Sequence, residues 1–479
     1  VIKPLTNHRS YLYQQLADRI AALIEHGTLR PGDRVPSVRR LSTQHNVSVS
    51  SVLQAYIVLE NRGLIEARPQ SGYYVRPRFL AGLPEPTVTE PPLAAIKGEV
   101  GELVARLLRC SDDPGVVQLG SASPDPATLP TGKLNRILAG IARRAAPGLL
   151  DYNYPAGCAD LRREIARRSL DWGCALDADE IITTAGCMDA LRLCLRAVTK
   201  PGDTVAVESP TFFALLQLID SLGLKTLQLS TFPRHGACLD ALDYATRRHK
   251  VAAVVLTPNF QNPLGACMPD EKKQALVEML ARKSIPLIED DVFGDLHHGP
   301  ARPKVAKAFD KKELVLLCSS FSKTLAPGYR VGWAVPGRYR AQVELLKRVD
   351  YISGATILEL AIAEFLKTGG VAHCLRQQRR AYARQMQQMI DAISEHFPTG
   401  TKVTRPTGGF LLWVELPGAT NALDIHRAAA AHKINFAPGP LYSPKQAYRN
   451  CLRLSCTNPW SAKLEHALAT LGQLAEKQR

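Results

Sequence analysis

The chain has 479 residues, 46% hydrophobic and 22% charged, which describes a soluble globular protein of two or more domains with a substantial core. No apolar run reaches 18 residues and no signal-peptide pattern opens the chain. The eleven cysteines are odd in number and lack CxxC pairing, so the reading excludes membrane spanning, a disulfide framework and a metal site, and expects a cytoplasmic protein. The formal charge of +16 favours polyanions, nucleic acid first.

The basic excess is dense at the start, where residues 1–80 hold eleven Lys/Arg against five Asp/Glu. Leu12, Leu16, Ile20, Leu23 and Ile24 recur at helical spacing within 10–26. Turn chemistry at 30–37 ends on Ser37, a cap for a second helix over 38–46. A third helix over 47–63 presents Val52, Ala55, Tyr56 and Leu59 to the first two. Its other face carries Ser48, Ser50, Ser51 and Gln54. Residues 64–77 alternate, turn at Pro69–Gly72 and alternate again, as a hairpin does. Helix, helix, helix, hairpin is the winged helix-turn-helix order.

The stretch GDRVPSVRRLSTQHNVSVSSVLQAYIVLENRGLIEARPQSGYYV resembles the DNA-binding domain of the GntR family. The resemblance implies that Arg39 holds a phosphate or base, that Ser48, Ser50 and Ser51 begin the recognition helix, and that Ser71–Gly72 is the wing tip. Arg34, Gln54 and Arg68 are further DNA-binding candidates. Many members carry a basic residue where Val49 stands. On this reading residues 1–77 form the DNA-binding domain, 78–109 a proline-rich linker with a short helix from 93, and 110–479 the remainder.

Beyond residue 110, seven apolar runs (181–184, 204–208, 225–229, 251–257, 285–290, 314–320 and 331–335) alternate with amphipathic segments. The pattern predicts an α/β domain whose mostly parallel, seven-stranded sheet binds its ligand beyond the carboxyl ends of the strands. There the sequence places Gly186, Cys187 and Met188 at a helix start, then Phe212, Asn262, three acids at 289–291, Lys323 and Arg330. Arg453 lies in an apolar strand further on. A helix N-terminus for phosphate, an aromatic plane, a carboxylate and a lysine after a buried strand match the needs of pyridoxal 5'-phosphate. Burial and a neighbouring cation such as Arg330 would keep that lysine neutral.

The motifs YNYPAGCADLRREIA, PNFQNPLG, IEDD and SFSKTLAPGYRVGW resemble fold-type I aminotransferases over residues 150–460. By that resemblance Lys323 forms the Schiff base and Asp290 faces the pyridine nitrogen. Asn262 bonds the phenolic oxygen and Phe212 stacks on the ring. Gly186, Cys187, Met188, Ser320, Ser322 and Arg330 hold the phosphate, Arg453 pairs with a ligand carboxylate, and Tyr152 reaches the neighbouring subunit's cofactor. Cys187-Met188 replaces a more usual small-polar pair, and Val292-Phe293 stands where many relatives carry a tyrosine. The whole chain resembles the MocR-type regulators of the GntR family. This implies a homodimer, commonly domain-swapped, with a smaller α+β subdomain in the effector part. It also implies a regulator that binds double-stranded DNA and senses pyridoxal phosphate, an amino acid or amine, or both. The alternative is a working aminotransferase carrying a DNA-binding module.

Overall fold

Leu16, Ala17, Ile20, Ala21 and Ile24 form one buried stripe of helix α1 (Leu12–Glu25). Leu12 and Leu23, expected on that stripe, lie off it and are 49% and 43% exposed. The computed structural model describes residues 12–25, 28–29, 32–61, 64–68, 72–75, 83–96, 113, 115–144, 152 and 156–478. These fall into two compact units that divide between Gly82 and Leu83.

In the first unit, Ser37 caps α2 (Val38–His45) by accepting from the Arg40 amide at 3.3 Å, and Asn46 ends it in the left-handed region at φ 50°. Helix α3 (Val49–Asn61) buries Val52, Ala55, Tyr56 and Leu59 completely. Strands β1 (Ile65–Arg68) and β2 (Gly72–Val75) pair antiparallel, with Ile65 opposite Val75 and Arg68 opposite Gly72. The predicted wing is therefore a hairpin. Its tip residue Ser71 lies outside the described residues.

The second unit is built on a mixed sheet. Its strands in chain order are β3 (Ala95–Ile96), β4 (Ile182–Thr184), β5 (Thr204–Ser209), β6 (Lys225–Phe232), β7 (Val251–Leu256), β8 (Leu287–Asp290), β9 (Val315–Ser320) and β10 (Gly332–Val335). They lie side by side as β3-β6-β5-β7-β8-β9-β10-β4, and the short strand Gly236–Ala237 adds to β6. Pairings from β6 through β9 are parallel, while β10 runs antiparallel to both neighbours. Every residue of β9 is buried, as expected for strands covered on both faces, where each large aliphatic side chain contributes about 1.5–3 kcal/mol.

The seven predicted runs all form strands, and two further short strands make the sheet nine-stranded. One comes from the stretch assigned to the linker. Ala95–Ile96, expected in a helix, pairs antiparallel with Leu227–Thr226 and covers the open edge of β6. Nor is the rest of the described linker a free spacer. The Pro84 carbonyl accepts from the Val403 amide at 3.0 Å, and Thr89 Oγ1 donates to the Ser209 carbonyl at 2.6 Å.

Beside this sheet lies a smaller antiparallel one, with order β11-β12-β14-β13 for β11 (Lys402–Val403), β12 (Leu411–Glu415), β13 (Ala437–Pro438) and β14 (Cys451–Ser455). Helices of the second unit include α4 (Thr131–Arg143), α5 (Cys187–Val198), α6 (Phe213–Ser221), α7 (Thr356–Lys367) and the 27-residue α8 (Gly370–His396). No helix among the described residues is long and apolar enough to cross a membrane.

Candidate cofactor site and DNA-binding surface

The carboxyl ends of β4, β5, β7, β8 and β9 open on one cavity. Cys187, Met188, Phe212, Asn262, Asp290, Ser320, Ser322, Lys323 and Arg330 all line it. All but Arg330, which precedes the antiparallel β10, lie at or shortly after a strand's carboxyl end, the position a parallel sheet reserves for ligands. Sequence reasoning missed Ala122, Leu191 and Thr257, which complete the wall with Val292 and Phe293, the pair that stands where many relatives carry a tyrosine. Ala122 contributes a carbonyl and the others packing surface, so no side-chain chemistry advertises them.

At one end stands the N-terminus of α5, capped by no side chain, so its first amides are free. Arg330 reaches the same corner, donating from Nη1 to Ser322 Oγ at 3.1 Å and from Nη2 to the Ala185 carbonyl at 3.2 Å. Gly186 makes this approach possible. Its φ is +93°, and a Cβ there would stand 2.3 Å from Arg330 Nη2. Free amides, two hydroxyls and a guanidinium make a fitting cradle for a phosphate.

The three acids of the IEDD motif separate by strand alternation. Glu289 turns away and accepts the Ala306 and Lys307 amides at 2.7 and 2.9 Å. Asp291 is paired with Arg302 and accepts from Asn259 Nδ2 at 2.8 Å. Asp290 remains at the cavity, where burial pushes its carboxyl up to about 6. The Cys187 thiol donates to Asp290 Oδ1 at 3.2 Å, as does the Val292 amide. The unusual cysteine of the phosphate loop thus touches the carboxylate.

Lys323 is half-buried, and its Nζ donates to the Ala122 carbonyl at 2.5 Å. Burial first, and Arg453 second, bring its ammonium down from 10.5 to about 8. Arg330, the cation expected to do this, contributes less than Arg453. Arg453 itself is 1% exposed. Its Nη2 donates to the Gly120 carbonyl, while Nε and Nη1 have no partner among the described residues. A buried guanidinium with two free donors is costly unless an anion reaches it. Gly120 is required where it is, because a Cβ would lie 2.8 Å from the Phe436 carbonyl carbon. The 120–122 segment therefore holds both cations through its carbonyls. Tyr152 does not line this cavity and is 64% exposed.

On the first unit, Ser48 is a helix cap as well as a surface residue. Its Oγ accepts from the Ser51 amide at 3.1 Å and contacts Ser50 Oγ and Ser51 Oγ at 2.7 and 2.8 Å. Ser50, Gln54, Arg34 and Arg39 are exposed, and Ser51 is half-buried. Arg34 bridges to Tyr74 of the hairpin and lays its guanidinium over Gly72. The side chain of Arg68 lies outside what the structure describes. Val49 and Leu53 add apolar surface to the same helix, 47% and 40% exposed.

A family model described as aminotransferase class I and II matches residues 115–471, and one described as bacterial regulatory proteins, gntR family, matches residues 12–75. The uncharacterised HTH-type transcriptional regulator YjiR of Escherichia coli (strain K12) is 38% identical over 96% of this chain and 98% of its own length. The uncharacterised HTH-type transcriptional regulator YdcR of the same strain is 38% identical over 97% and 99%. Among solved structures, Pyrococcus horikoshii kynurenine aminotransferase, in complex with PMP, aligns at a TM-score of 0.73 and 27% identity, covering 78% of this chain and 94% of that one. The α-aminoadipate aminotransferase LysN of Thermus thermophilus, complexed with N-(5'-phosphopyridoxyl)-L-leucine, aligns at 0.72 and 26% identity, covering 80% and 96%.

Proposed function

This chain belongs to the aminotransferase class I and II family over residues 115–471 and to the gntR family of bacterial regulatory proteins over residues 12–75, and from that premise we propose that it is a transcriptional regulator whose aminotransferase-like unit senses pyridoxal phosphate together with an amino acid or amine. The observation that carries the reading is the convergence of Lys323, Asp290, Asn262 and Arg330 on one cavity, in a chain that also folds a winged helix-turn-helix. The family works with pyridoxal phosphate, and the residues present fit it.

When bound, the group supplies an aldehyde that condenses with amines and a ring that withdraws electrons. The amides of α5, Ser320, Ser322 and Arg330 would hold its phosphate, and Phe212 and Asn262 its ring. Asp290 would hold a proton on the ring nitrogen, with its own orientation fixed by Cys187 and Val292. Lys323 is the attacking amine, kept partly neutral by burial and by Arg453. The guanidinium of Arg453 binds the carboxylate of the effector. Tyr152, exposed and away from its own chain's cavity, suits a place at the partner's site in a homodimer.

Two expected results come from this geometry. The rate of covalent uptake of pyridoxal phosphate rises with pH up to about 8 and then levels, because only the neutral Lys323 amine reacts. Stopped-flow absorbance across pH 6–10, as an order-of-magnitude window, reads it directly. Gly186→Ala forces an unfavourable φ and displaces Arg330, so the cofactor binds about tenfold more weakly while far-ultraviolet circular dichroism is unchanged.

The first unit reads operator DNA with Ser50, Ser51 and Gln54 at base edges and Arg34, Arg39 and the α3 amides on phosphates. Val49 suits a thymine methyl group, which a basic residue would not. Titration of the full-length protein onto its own promoter region and onto random DNA tests this. A salt-sensitive preference for the promoter supports the reading, and equal affinity for both sequences refutes it.

A further inference from the structure

A second cavity, of about 420 Å³, shares no lining residue with the first. It lies between the Pro126–Thr128 turn, the start of α4, the end of α7 and the start of α8. Three features of its wall ask for the same kind of occupant.

Helix α8 begins at Gly370 with Gly369 as its cap and no side chain satisfying its first amides. Lys133 places its ammonium 5.0 Å above the Phe365 ring, and a Cβ on Gly370 would lie 2.5 Å from Nζ. A cation against the positive end of a helix is electrostatically misplaced unless an anion joins them. No aspartate or glutamate is among the described lining residues, and His373 adds a further donor.

The third feature is Gln378, which is fully buried and lines the cavity. Its Nε2 donates to the Thr324 carbonyl at 2.8 Å and the Thr128 carbonyl at 3.2 Å. Both are acceptors only, so the amide cannot be flipped. Oε1 has no partner among the described residues, at a cost of about 1–3 kcal/mol. It asks for an N–H or O–H donor.

We propose that this cavity binds a small organic anion, with its carboxylate at Lys133 and the start of α8 and a hydrogen-bond donor at its other end on Gln378. Eight residues of helix separate the two, about 12 Å along the axis, and side chains lean towards the N-terminus. An aromatic or extended carboxylate spans that distance, and acetate does not. The cavity's size is that of small-molecule sites. Because Gln378 holds the carbonyl of Thr324, the residue next to Lys323, an occupant has a direct route to the lysine loop. The inference does not rest on the cofactor reading.

The probe is 4-hydroxyphenylacetate, which carries a carboxylate and a phenolic O–H at opposite ends and no amine to react with an aldehyde. It is titrated calorimetrically into the full-length protein and into Lys133→Gln, Lys133→Arg, Ala381→Trp and Arg453→Ala. The expected result is saturable one-to-one binding, weakened about tenfold or more by Lys133→Gln, kept by Lys133→Arg and Arg453→Ala, and lost when Ala381→Trp fills the space. Retention by Lys133→Arg separates loss of charge from misfolding. No saturation by ~10 mM, or binding lost only in Arg453→Ala, overturns the proposal; the latter would put the anion at Arg453.

Discussion

Lys323→Ala abolishes covalent capture of pyridoxal phosphate: after borohydride treatment the variant gains no cofactor mass, whereas the parent gains it on the peptide containing residue 323. Among the described lining residues of the cavity Lys323 is the one lysine, so no neighbour substitutes for it. The same change does not destabilise the apoprotein. Lys323 titrates lower in the folded chain than its ordinary value, so its charged form disfavours folding most strongly below pH 8, a cost that fades as pH rises towards 10.5. Removing the amine at pH 7 removes that cost, which offsets the lost hydrogen bond to the Ala122 carbonyl. Denaturant melts of the two apoproteins check the sign. Loss of capture with equal or greater stability marks a functional lysine; loss of both marks a structural one.

The second large effect belongs to Arg453→Ala. Effectors that carry a carboxylate lose about 2–5 kcal/mol of binding, while an amine without a carboxylate binds the holoprotein as before. The discrimination comes from the two guanidinium nitrogens that are buried without partners among the described residues. A further readout separates this role from general damage. Arg453 is the largest charge lowering the Lys323 ammonium, so its removal moves the pH at which cofactor uptake levels off upward. An arginine whose charge does not reach Lys323 would leave that profile in place.

Much of this was legible in the sequence because parallel strands announce themselves as short apolar runs and place chemistry directly after them. All seven runs became strands, and nine of the proposed cofactor residues line one cavity. What stayed hidden was of two kinds. The strand Ala95–Ile96 is too short for periodicity to show and exists because the edge of β6 needed covering, a tertiary reason. The carbonyls of Gly120 and Ala122, which hold Arg453 and Lys323, belong to residues with no functional side chain. The cysteine that looked like a departure in the phosphate loop acquires a reason only in three dimensions, where its thiol meets Asp290. Even the cation that depresses Lys323 most was misjudged, since Arg330 is seven residues away in sequence but Arg453 dominates in space.

The most direct measurement is the affinity of the full-length protein for its own promoter DNA, by fluorescence anisotropy at fixed salt, in three states: apoprotein, with pyridoxal phosphate, and with pyridoxal phosphate plus a panel of amino acids and amines. The account predicts that promoter affinity differs by about fivefold or more between states, that random DNA does not respond, and that Lys323→Ala flattens the difference. Identical promoter binding in all three states, or sustained turnover of an amino acid and a keto acid without any change on DNA, would contradict it.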